Sequence, residues 1–415
     1  MSKQRQEKNV PQLRFPEFEG EWENYKLSDL LEFKNGINAK KEDYGSGYKF
    51  INVLDIIEND FITHDVIRGQ VNITQKQFQE SIVEYGDILF QRSSETREEV
   101  GQSNVYLDKE RAATFGGFVI RGKKIKEYNP QLLNFLLKTS NARKEITSKS
   151  GGSTRYNLSQ STLSEVSIQI PKLQEQQKIA TFLSAIDRRI ELLQRKKEQL
   201  ELYKKGVMQQ LFNQEIRFKD EEGKDFPEWE EKRLGDVFTF QKGKGVSKSD
   251  IKESGKIKCI RYGELYTTYN EVIDKVESKT DLNPKALVLS KGNEILIPAS
   301  GESAIDIATA SCVTVPEVAL GGDLNILSGE ENGVFMAYYM SNKLKNRIAR
   351  ISQGISVIHL YASQLKQLKI QIACKKEQKA IADFLISIDN KINDLADVSD
   401  SVKDYKKSLL QKMFI

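Results

Sequence analysis

The sequence predicts an α+β protein in which two similar mixed α/β domains are separated by two long antiparallel helices. Three observations support this prediction. The chain repeats itself with a period of about 205 residues, each half opens with short strand-like segments around one helix, and each half ends in a long proline-free helix with heptad spacing. The expected architecture is a pseudo-two-fold internal repeat whose long helices form a coiled coil.

Length and composition narrow the class of protein. The 415 residues exceed one ordinary domain, and a hydrophobic content of 39% is enough for packed cores. The chain has no apolar run of membrane-spanning length, and its polar start, MSKQRQEKNV, lacks the apolar core of a secretory signal. Three distant cysteines predict no disulfide framework, so we expect a cytoplasmic protein. The net charge of +4 is too small to indicate a nucleic-acid partner by itself.

The internal repeat is carried by motifs that occur in the same order in both halves. The only two tryptophans, Trp22 and Trp229, each begin a Trp-x-x-x-x-Leu-x-Asp motif. The longest match lies near the end of each half, where Glu175–Lys205 aligns without a gap with Glu377–Lys407, 202 positions later. Because solenoid units have only about 20–50 residues, a period this long excludes a solenoid.

Each half opens with a globular stretch of strand-like segments separated by glycines and polar turns. One helix is predicted within each stretch, near Gln131–Lys144 and Val334–Ile348. The predicted strands are Lys49–Val53, Asp87–Phe90, Phe118–Ile120, Ser167–Ile170, Ile257–Ile260, Glu294–Ile297, Ser311–Val315 and Lys369–Ile372.

Each half closes with a long helix, predicted at Gln174–Phe212 and at Lys376–Phe414. About forty residues at roughly 1.5 Å each give a rod of about 60 Å. The second helix can pack only by running back along the first, so the two should be antiparallel. Apolar residues recur every seventh position, which predicts a coiled-coil seam: Ile179, Ile186, Leu193, Leu200 and Val207 in the first helix, and Ile381, Ile388, Leu395, Val402 and Leu409 in the second.

These patterns divide the chain into four segments. Residues 1–170 form the first globular domain, 171–215 the central helix, 216–372 the second globular domain and 373–415 the C-terminal helix. Two similar domains at a fixed distance suit a ligand with two similar sites at a fixed distance. Duplex DNA, read as paired half-sites, is the obvious ligand of this kind.

The ordered motifs resemble the specificity subunits of Type I restriction-modification systems, and the resemblance covers essentially the whole chain. The resemblance rests on the tryptophan motif, on the Gly-Asp-Ile-Leu-Phe strand at Gly86–Phe90 and on the Gly-Gly-Ser-Thr-Arg loop at Gly151–Arg155. It also rests on the Ile-Pro-Lys-Leu-x-Glu-Gln-Gln-Lys-Ile-Ala segment, Ile170–Ala180, which recurs in similar form at Ile372–Ala382. The second copy departs from the pattern at Gln353–Ser356, where the Gly-Gly-Ser-Thr loop is replaced.

The resemblance implies that the two globular parts are target-recognition domains, each reading one half of a split DNA target. It implies that the helices set the gap and dock two methylation subunits, with restriction subunits joining through the complex. S-adenosylmethionine, ATP and Mg²⁺ would then be bound by those partners, and this chain would be non-catalytic and bind no cofactor. The residues expected to dock the methylation subunits are Glu175, Gln176, Phe182, Leu183, Glu377, Gln378, Phe384 and Leu385. The phenylalanines and leucines among them are explained more simply as the shared core of the two helices.

Motifs for catalysis within the chain are missing from the sequence. The closest approaches to the Asn/Asp-Pro-Pro-aromatic motif of adenine methyltransferases, Asn129–Gln131 and Asn283–Lys285, lack the second proline and the aromatic residue. Gly243–Ser249 has Ser247 where a P-loop requires its second glycine. Two histidines and no paired cysteines predict no zinc site. A self-contained methyltransferase or nuclease, and a coiled-coil scaffold for proteins only, stay open as alternatives.

Candidate DNA contacts fall into two kinds. Lysine-rich loops suit phosphate contact, although such loops also occur simply as solvated surface; Lys242–Arg261 carries seven basic residues against two acidic ones. The candidates for phosphate contact are Lys34, Lys40, Lys41, Lys242, Lys244, Lys248 and Arg261.

Base contacts need hydrogen-bonding side chains on a positioned loop or strand. In the first half they are expected directly after the strand ending at Phe90 and after Gly151-Gly152, with the corresponding places used in the second half. A simpler reading of Gly151–Thr154 is a turn before a helix capped by Ser153 or Asn157. The candidates for base contact are Arg92, Ser93, Ser94, Ser153, Thr154, Arg155, Tyr156, Ser300, Gln353, Ser356 and His359.

Overall fold

The computed structural model describes residues 9–415, which fold into two compact units. The first unit contains the chain up to Leu193 together with Val398–Ile415, and the second contains Gln194–Asp397. Both divisions fall inside the long helices, which span Leu173–Phe212 and Lys375–Met413. Each unit therefore consists of one globular head and parts of both helices, a division that cuts across the four predicted sequence segments.

The first head is built on a four-stranded antiparallel sheet. Its strands lie in the order Leu31–Asn35, Val119–Lys124, Ile88–Gln91 and Ser103–Val105. A three-stranded sheet of Gly69–Val71, Tyr44–Ile51 and Thr114–Phe115 lies beside it, and two two-stranded sheets join Glu23–Lys26 to Ser167–Ile170 and Ser93–Ser94 to Tyr156–Asn157.

The helices of the first head include one correction to the sequence prediction. The predicted helix Gln131–Lys144 is two helices, because the hydroxyl of Thr139 accepts a hydrogen bond from the Ala142 amide and starts a new helix there. The strand predicted at Lys49–Val53 ends at Ile51, because Val53 begins a short helix. The helices are Val53–Ile57, Gln75–Glu80, Pro130–Leu137, Ser140–Ser148 and Gln160–Ser164, with 3-10 turns at Leu27–Asp29 and Lys41–Asp43.

The second head repeats this plan with a five-stranded and a four-stranded sheet. The five strands lie in the order Thr239–Lys242, Leu324–Ser328, Glu294–Pro298, Ser311–Val313 and Val272–Ile273. The four lie in the order Lys279–Thr280, Ile257–Ile260, Ala319–Leu320 and Val288–Leu289, and two-stranded sheets join Glu230–Arg233 to Lys369–Ile372 and Ser300–Gly301 to Ile358–His359.

The helix predicted at Val334–Ile348 in the second head is interrupted by a π-helical segment. No helix among residues 9–415 is both long and apolar enough to cross a membrane. The helices of the second head are Leu234–Val237, Glu264–Thr267, Gly333–Tyr339, Met340–Leu344 in the π form, Lys345–Ile351 and Ala362–Lys366, with 3-10 turns at Lys248–Asp250 and Pro284–Ala286.

A buried carboxylate anchors the start of each long helix to its head. Glu175, 2% exposed, accepts hydrogen bonds from the Arg14 guanidinium at 2.7 and 2.8 Å and from Trp22 Nε1 at 3.3 Å. The hydrogen bond to Glu175 raises the pKa of Arg14, which favours the charged form of the guanidinium. The anchor ties the N-terminal segment, the first strand region and the helix together at one point.

The second unit contains the same anchor with equivalent residues. Glu377, 0% exposed, accepts from the Arg217 guanidinium at 2.9 and 3.1 Å and from Trp229 Nε1 at 2.9 Å. Its hydrogen bonds also raise the pKa of Arg217. The Arg-Phe dipeptides at 14–15 and 217–218 therefore belong to the repeat, an extension that the motif comparison overlooked.

The glutamine that follows each anchoring glutamate holds the head's own helix. Gln176 Oε1 accepts from the amide of Asn129, the residue that caps helix Pro130–Leu137, at 2.9 Å. Gln378 Oε1 accepts from the amide of Asn332, which caps helix Gly333–Tyr339, also at 2.9 Å. Each glutamine is buried, so its side chain connects the long helix to the head.

These contacts correct the docking prediction for the helix starts. The side chains of Glu175, Gln176, Glu377 and Gln378 are buried and hydrogen-bonded within their own units, so none presents a docking surface. Leu183 and Leu385 lie in the head cores, and Phe182 and Phe384 pack edge-on against Phe15 and Phe218.

The long helices pack in the antiparallel sense within each unit. In the first unit, Ile179 and Leu183 at the start of the first helix share a core with Leu409 and Met413 at the end of the second. The second unit combines the end of the first helix with the start of the second in the same way. The predicted heptad seam is confirmed; its most buried members are Ile179, Val207, Ile381, Ile388 and Leu409.

An ion pair crosses the helix pair at an equivalent position in each unit. Lys406 pairs with Asp187 in the first unit, and Lys204 pairs with Asp389 at 2.7 Å in the second. Burial alone would lower the pKa of Lys204, but Glu271 and Asp389 together raise it. Because a buried charge needs its partner, these pairs favour one register of the two helices.

We expect Glu377→Ala to destabilise the second unit by roughly 3 kcal/mol, because it leaves Arg217 and Trp229 Nε1 without their shared buried acceptor. Urea unfolding followed by circular dichroism measures the change. Asp383→Ala is the control, since it removes a carboxylate from an exposed ion pair on the same helix, with Lys379. Equal unfolding midpoints for the two variants would contradict the anchoring role.

Candidate nucleic-acid interface

A short strand pair at one edge of the first head brings together two of the predicted base-reading segments. Ser93 and Ser94 pair with Asn157 and Tyr156, and Ser93 Oγ donates to Asn157 Oδ1 at 2.6 Å. Reciprocal backbone hydrogen bonds between Gly151 and Asn157, at 2.8 and 3.1 Å, close the intervening residues into a turn. The turn of residues 151–157 therefore projects from the end of the sheet.

The second head builds the same strand pair from residues at equivalent positions. Ser300 pairs with His359 and Gly301 with Ile358. Reciprocal hydrogen bonds between Gln353 and His359, at 2.7 and 2.9 Å, close the turn of residues 353–359. Ser300 and His359, two of the base-contact candidates of the second half, thus lie on paired strands.

One glycine in each turn has a backbone conformation that other residues rarely adopt. Gly152 has a φ of +121° and Gly354 a φ of +135°. A Cβ at either position would overlap a backbone carbonyl oxygen, that of Arg155 or that of Val357. Residues 151–157 do form a turn before a helix, as the alternative reading has it, but the cap of that helix is Ser159 and not Ser153 or Asn157.

Backbone hydrogen bonds join the strand pair of each head to a loop that begins with two glycines, residues 116–118 or 321–323. In the first head, Arg92 donates its amide to Phe118 O and accepts from the Leu158 amide. The second head repeats this with Ala299, which donates to Asp323 O and accepts from the Leu360 amide. We call these surfaces the loop edges; the first comprises residues 36–44, 92–94, 116–118 and 151–157, and the second comprises residues 243–250, 299–301, 321–323 and 353–359.

In each head the lysine loop, residues 36–44 or 243–250, crosses the glycine loop, residues 116–118 or 321–323, in close backbone contact. A Cβ on Gly36 would overlap the Gly116 carbonyl oxygen, and a Cβ on Gly243 would overlap that of Gly321. Only glycine permits this approach, which fixes where each lysine loop emerges. The same crossing occurs in both heads, so it is part of the repeated scaffold.

The predicted phosphate-contacting residues differ in their availability. Lys40 and Lys41 are exposed on the first loop edge, and Lys244 and Lys248 are exposed on the second. Hydrogen bonds from Ser247 lower the pKa of Asp250, which keeps one carboxylate ionised beside these lysines. Lys242 is exposed where its strand enters the loop; Lys34 donates to Glu80 O at 2.6 Å, and Arg261 pairs with Glu264 at 3.2 Å.

The predicted base-reading residues are likewise divided by their burial. Ser94 and Ser300 are buried, and Ser94 Oγ donates to Glu99 Oε2 at 3.0 Å, so neither hydroxyl faces solvent. The Arg92 guanidinium is half-buried and donates to Gly117 O at 3.2 Å. Ser93 and Tyr156 are also half-buried, and the side chains that are exposed on the turns are Ser153, Thr154, Arg155, Gln353, Ser356 and His359.

Two aromatic side chains at the first loop edge escaped the sequence prediction. Phe118 is 63% exposed and Tyr44 is 47% exposed, and both line an open cavity of about 370 Å³ together with Asn38 and Asn52. Phe118 directly follows Gly116-Gly117, so its position after a glycine pair was the available signal. From the sequence, Phe118–Ile120 was predicted only as a strand and not as part of a binding surface.

The two loop edges thus combine exposed cations with hydrogen-bonding side chains on turns whose backbone is fixed. Cations supply attraction to a phosphate backbone, and polar side chains on a projecting turn can reach base edges. Among residues 9–415, no cluster of histidine, cysteine and carboxylate side chains is suited to hold a metal ion. The geometry therefore favours binding of an extended polyanion at each edge.

Comparison with known proteins identifies the family. Residues 19–202 and 227–399 match the sequence model of the family described as Type I restriction modification DNA specificity domain. The Type I restriction enzyme MjaIX specificity subunit of Methanocaldococcus jannaschii is 31% identical over 306 residues, 66% of this chain and 67% of that protein. The putative type I restriction enzyme MjaX specificity subunit of the same organism is 27% identical over 97% of this chain and 95% of its own length.

Solved structures show that the fold is shared at low sequence identity. The S subunit of a Type I restriction-modification system from M. genitalium has a TM-score of 0.56 at 17% identity, covering 98% of this chain and 99% of that chain. A structure from a study of complex assembly in the type I R-M system has a TM-score of 0.57 at 14% identity, covering 95% and 97%. With two matches of the family model that together span most of its length, the chain belongs to the DNA specificity subunits of Type I restriction-modification systems.

Proposed function

We propose that this chain selects the DNA target of a Type I restriction-modification complex by reading a bipartite sequence, one half with each loop edge. The observation that carries the proposal is the repeated loop edge. Both heads use the same strand pair, glycine turn and crossing lysine loop, yet the exposed turn residues differ between Arg155 and Thr154 on one side and Ser356 and His359 on the other. Equal scaffolds with unequal contact residues suit two different half-sites.

Within each half-site the two kinds of residue have separate tasks. Lys40, Lys41, Lys244 and Lys248 contact phosphates and supply affinity without sequence information. Side chains on the turns enter a groove and form hydrogen bonds with base edges. The turn rests on a two-stranded ribbon, an element that the major groove of B-DNA accommodates.

The long helices have two tasks in this proposal. They hold the two half-sites apart and so set the length of the unread gap. They also dock two methylation subunits, through which restriction subunits join the complex. Because the docking residues expected from the sequence are largely turned inward, we assign docking to exposed side chains of the same helices, including Leu202, Tyr203 and Tyr405.

The chemistry belongs to the partner subunits. Adenine methylation with S-adenosylmethionine and DNA cleavage driven by ATP with Mg²⁺ are assigned to them, and this chain contributes the choice of target. Incubating the purified chain with DNA and labelled S-adenosylmethionine, with and without the methylation subunit, tests the division. We expect transfer to DNA only when the methylation subunit is present; methylation by the chain alone would show that it is itself a methyltransferase.

Mapping methylated adenines in a host that carries this specificity subunit with its methylation subunit tests the proposed target choice. We expect one split motif with two different halves separated by a gap of constant length. The map of the host without the specificity subunit is the control. A scaffold that binds proteins only would produce no new motif, and a continuous motif would contradict the bipartite reading.

We expect Arg155→Ala to relax the preference at one base pair in one half of the target, because a bidentate arginine contact contributes about 1–3 kcal/mol of discrimination. The other half should be read as before. Comparison of the methylated motifs measures the effect. Lys26→Ala, which removes the same charge from a strand that pairs with Ser167–Ile170, is the control and should leave the motif unchanged.

Deleting one heptad from each long helix should shorten the unread gap. Removing Leu192–Glu198 and Leu395–Ser401 takes seven residues out of each helix at the level where the two compact units divide. Seven residues correspond to about 10 Å of helix, or about three base pairs of DNA. The methylated motif should therefore have a gap about three base pairs shorter, or be lost where the DNA twist no longer fits. Unchanged gap length with retained methylation would exclude the helices as the spacer.

A further inference from the structure

The turn of the second loop edge carries an apolar tip. Ile355 is 100% exposed, and Val357 is 49% exposed beside it. The residues at the equivalent positions of the first turn, 202 places earlier, are Ser153 and Arg155. Between Gln353 and His359 there is no lysine or arginine, so this turn lacks the cation that the first turn has.

We propose that Ile355 recognises the C5-methyl group of a thymine in the major groove, so that the second head reads part of its half-site by apolar contact. This inference rests on the proposed function of the loop edges. It adds the chemical class of the base group and the residue that selects it. The first head, by contrast, presents hydrogen-bonding side chains at the same point of its turn.

Position argues for DNA as the occupant of this tip. The turn stands on the strand pair Ser300–Gly301 with Ile358–His359, as the first turn stands on its own pair. Ala299 links it by backbone hydrogen bonds to Asp323, in the loop that crosses the lysine loop at Gly243. The exposed Lys244 and Lys248 therefore lie on the same edge as Ile355, and a duplex held by these lysines is presented to the tip.

Chemistry argues for the thymine methyl group. On the major-groove edges of the base pairs, that methyl is the apolar group, while the other groups are hydrogen-bond donors and acceptors. An isoleucine placed against a donor or acceptor would desolvate it without replacing its hydrogen bond, which is unfavourable. The fixed backbone at Gly354, with its φ of +135°, holds the isoleucine in place before DNA binds.

Replacing thymine by deoxyuridine tests the proposal, because it removes one methyl group and keeps every hydrogen-bonding group. The full chain in complex with its methylation subunit is titrated with duplexes that carry the mapped methylation target. Each thymine of the target, on both strands, is replaced in turn. We expect one replacement to weaken binding about fourfold, the factor that corresponds to one buried methyl group.

Variants at the tip assign that methyl contact to Ile355. Ile355→Ala should bind the thymine duplex more weakly and lose its sensitivity to that replacement, and Ile355→Val should keep most of it. Ile125→Ala, which shortens an isoleucine that is 56% exposed outside the loop edges, is the matched control and should retain the full sensitivity of the unmodified protein. Because Ile355 is fully exposed, these substitutions are not expected to affect folding.

Several results would overturn the inference while leaving the proposed function intact. They are a target that is methylated at a specific motif but shows no sensitivity to any thymine replacement, or a sensitivity that persists in Ile355→Ala. A rise in the fluorescence of 2-aminopurine placed beside the second half-site would indicate instead that the isoleucine unstacks a base step. Absence of any specific motif would contradict the proposed function itself.

Discussion

The fold depends on one buried carboxylate at the start of each long helix. Glu175 and Glu377 are each held by an arginine and by a tryptophan indole from segments about 150 residues earlier in the chain. A buried charge of this kind is costly unless every partner is present, so the contact favours one specific arrangement of helix and head. These side-chain hydrogen bonds, together with apolar packing, determine the direction in which each long helix leaves its head.

The adjacent glutamines extend this constraint to the heads. Gln176 and Gln378 accept from the amides of Asn129 and Asn332, the residues that cap the principal helix of each head. The sheet edge that bears the lysine loop, the glycine loop and the turn lies in the same head. A single Glu-Gln pair therefore orients the long helix against the head that bears the loop edge.

Sequence reasoning was most successful where local patterns determine structure. The heptad spacing placed both long helices to within one residue at each end, and strands Ser167–Ile170 and Lys369–Ile372 were predicted with the observed bounds. The break at Thr139 was missed, because a threonine in a helical pattern also occurs within helices and its capping role depends on the local backbone. The remaining differences between prediction and structure depend on contacts between residues that are far apart in the chain.

Glu175 and Gln176 are two residues whose role depends on contacts with distant parts of the chain. Two polar residues at the exit of a head are equally compatible with an exposed docking site and with a buried anchor. The choice depends on Arg14, Trp22 and Asn129, whose proximity only the fold creates. The same holds for the loop edge: the sequence places Ser93 and Asn157 64 positions apart, and their pairing decides that the two segments act together.

The division between scaffold and tip explains how such a head can change its ligand without losing its fold. The glycines at 36 and 152, with their equivalents at 243 and 354 in the second head, are required by close backbone approach or by positive φ. The residues between them, such as Ser153 and Ile355, are exposed, and exposed side chains contribute little to stability. Substitution of these exposed residues therefore changes the surface chemistry of a head at small cost to folding, whereas substitution of the glycines or of the buried Glu-Gln pair disturbs the fold itself. This separation of roles allows the turns of the two heads to carry different exposed residues on the same scaffold.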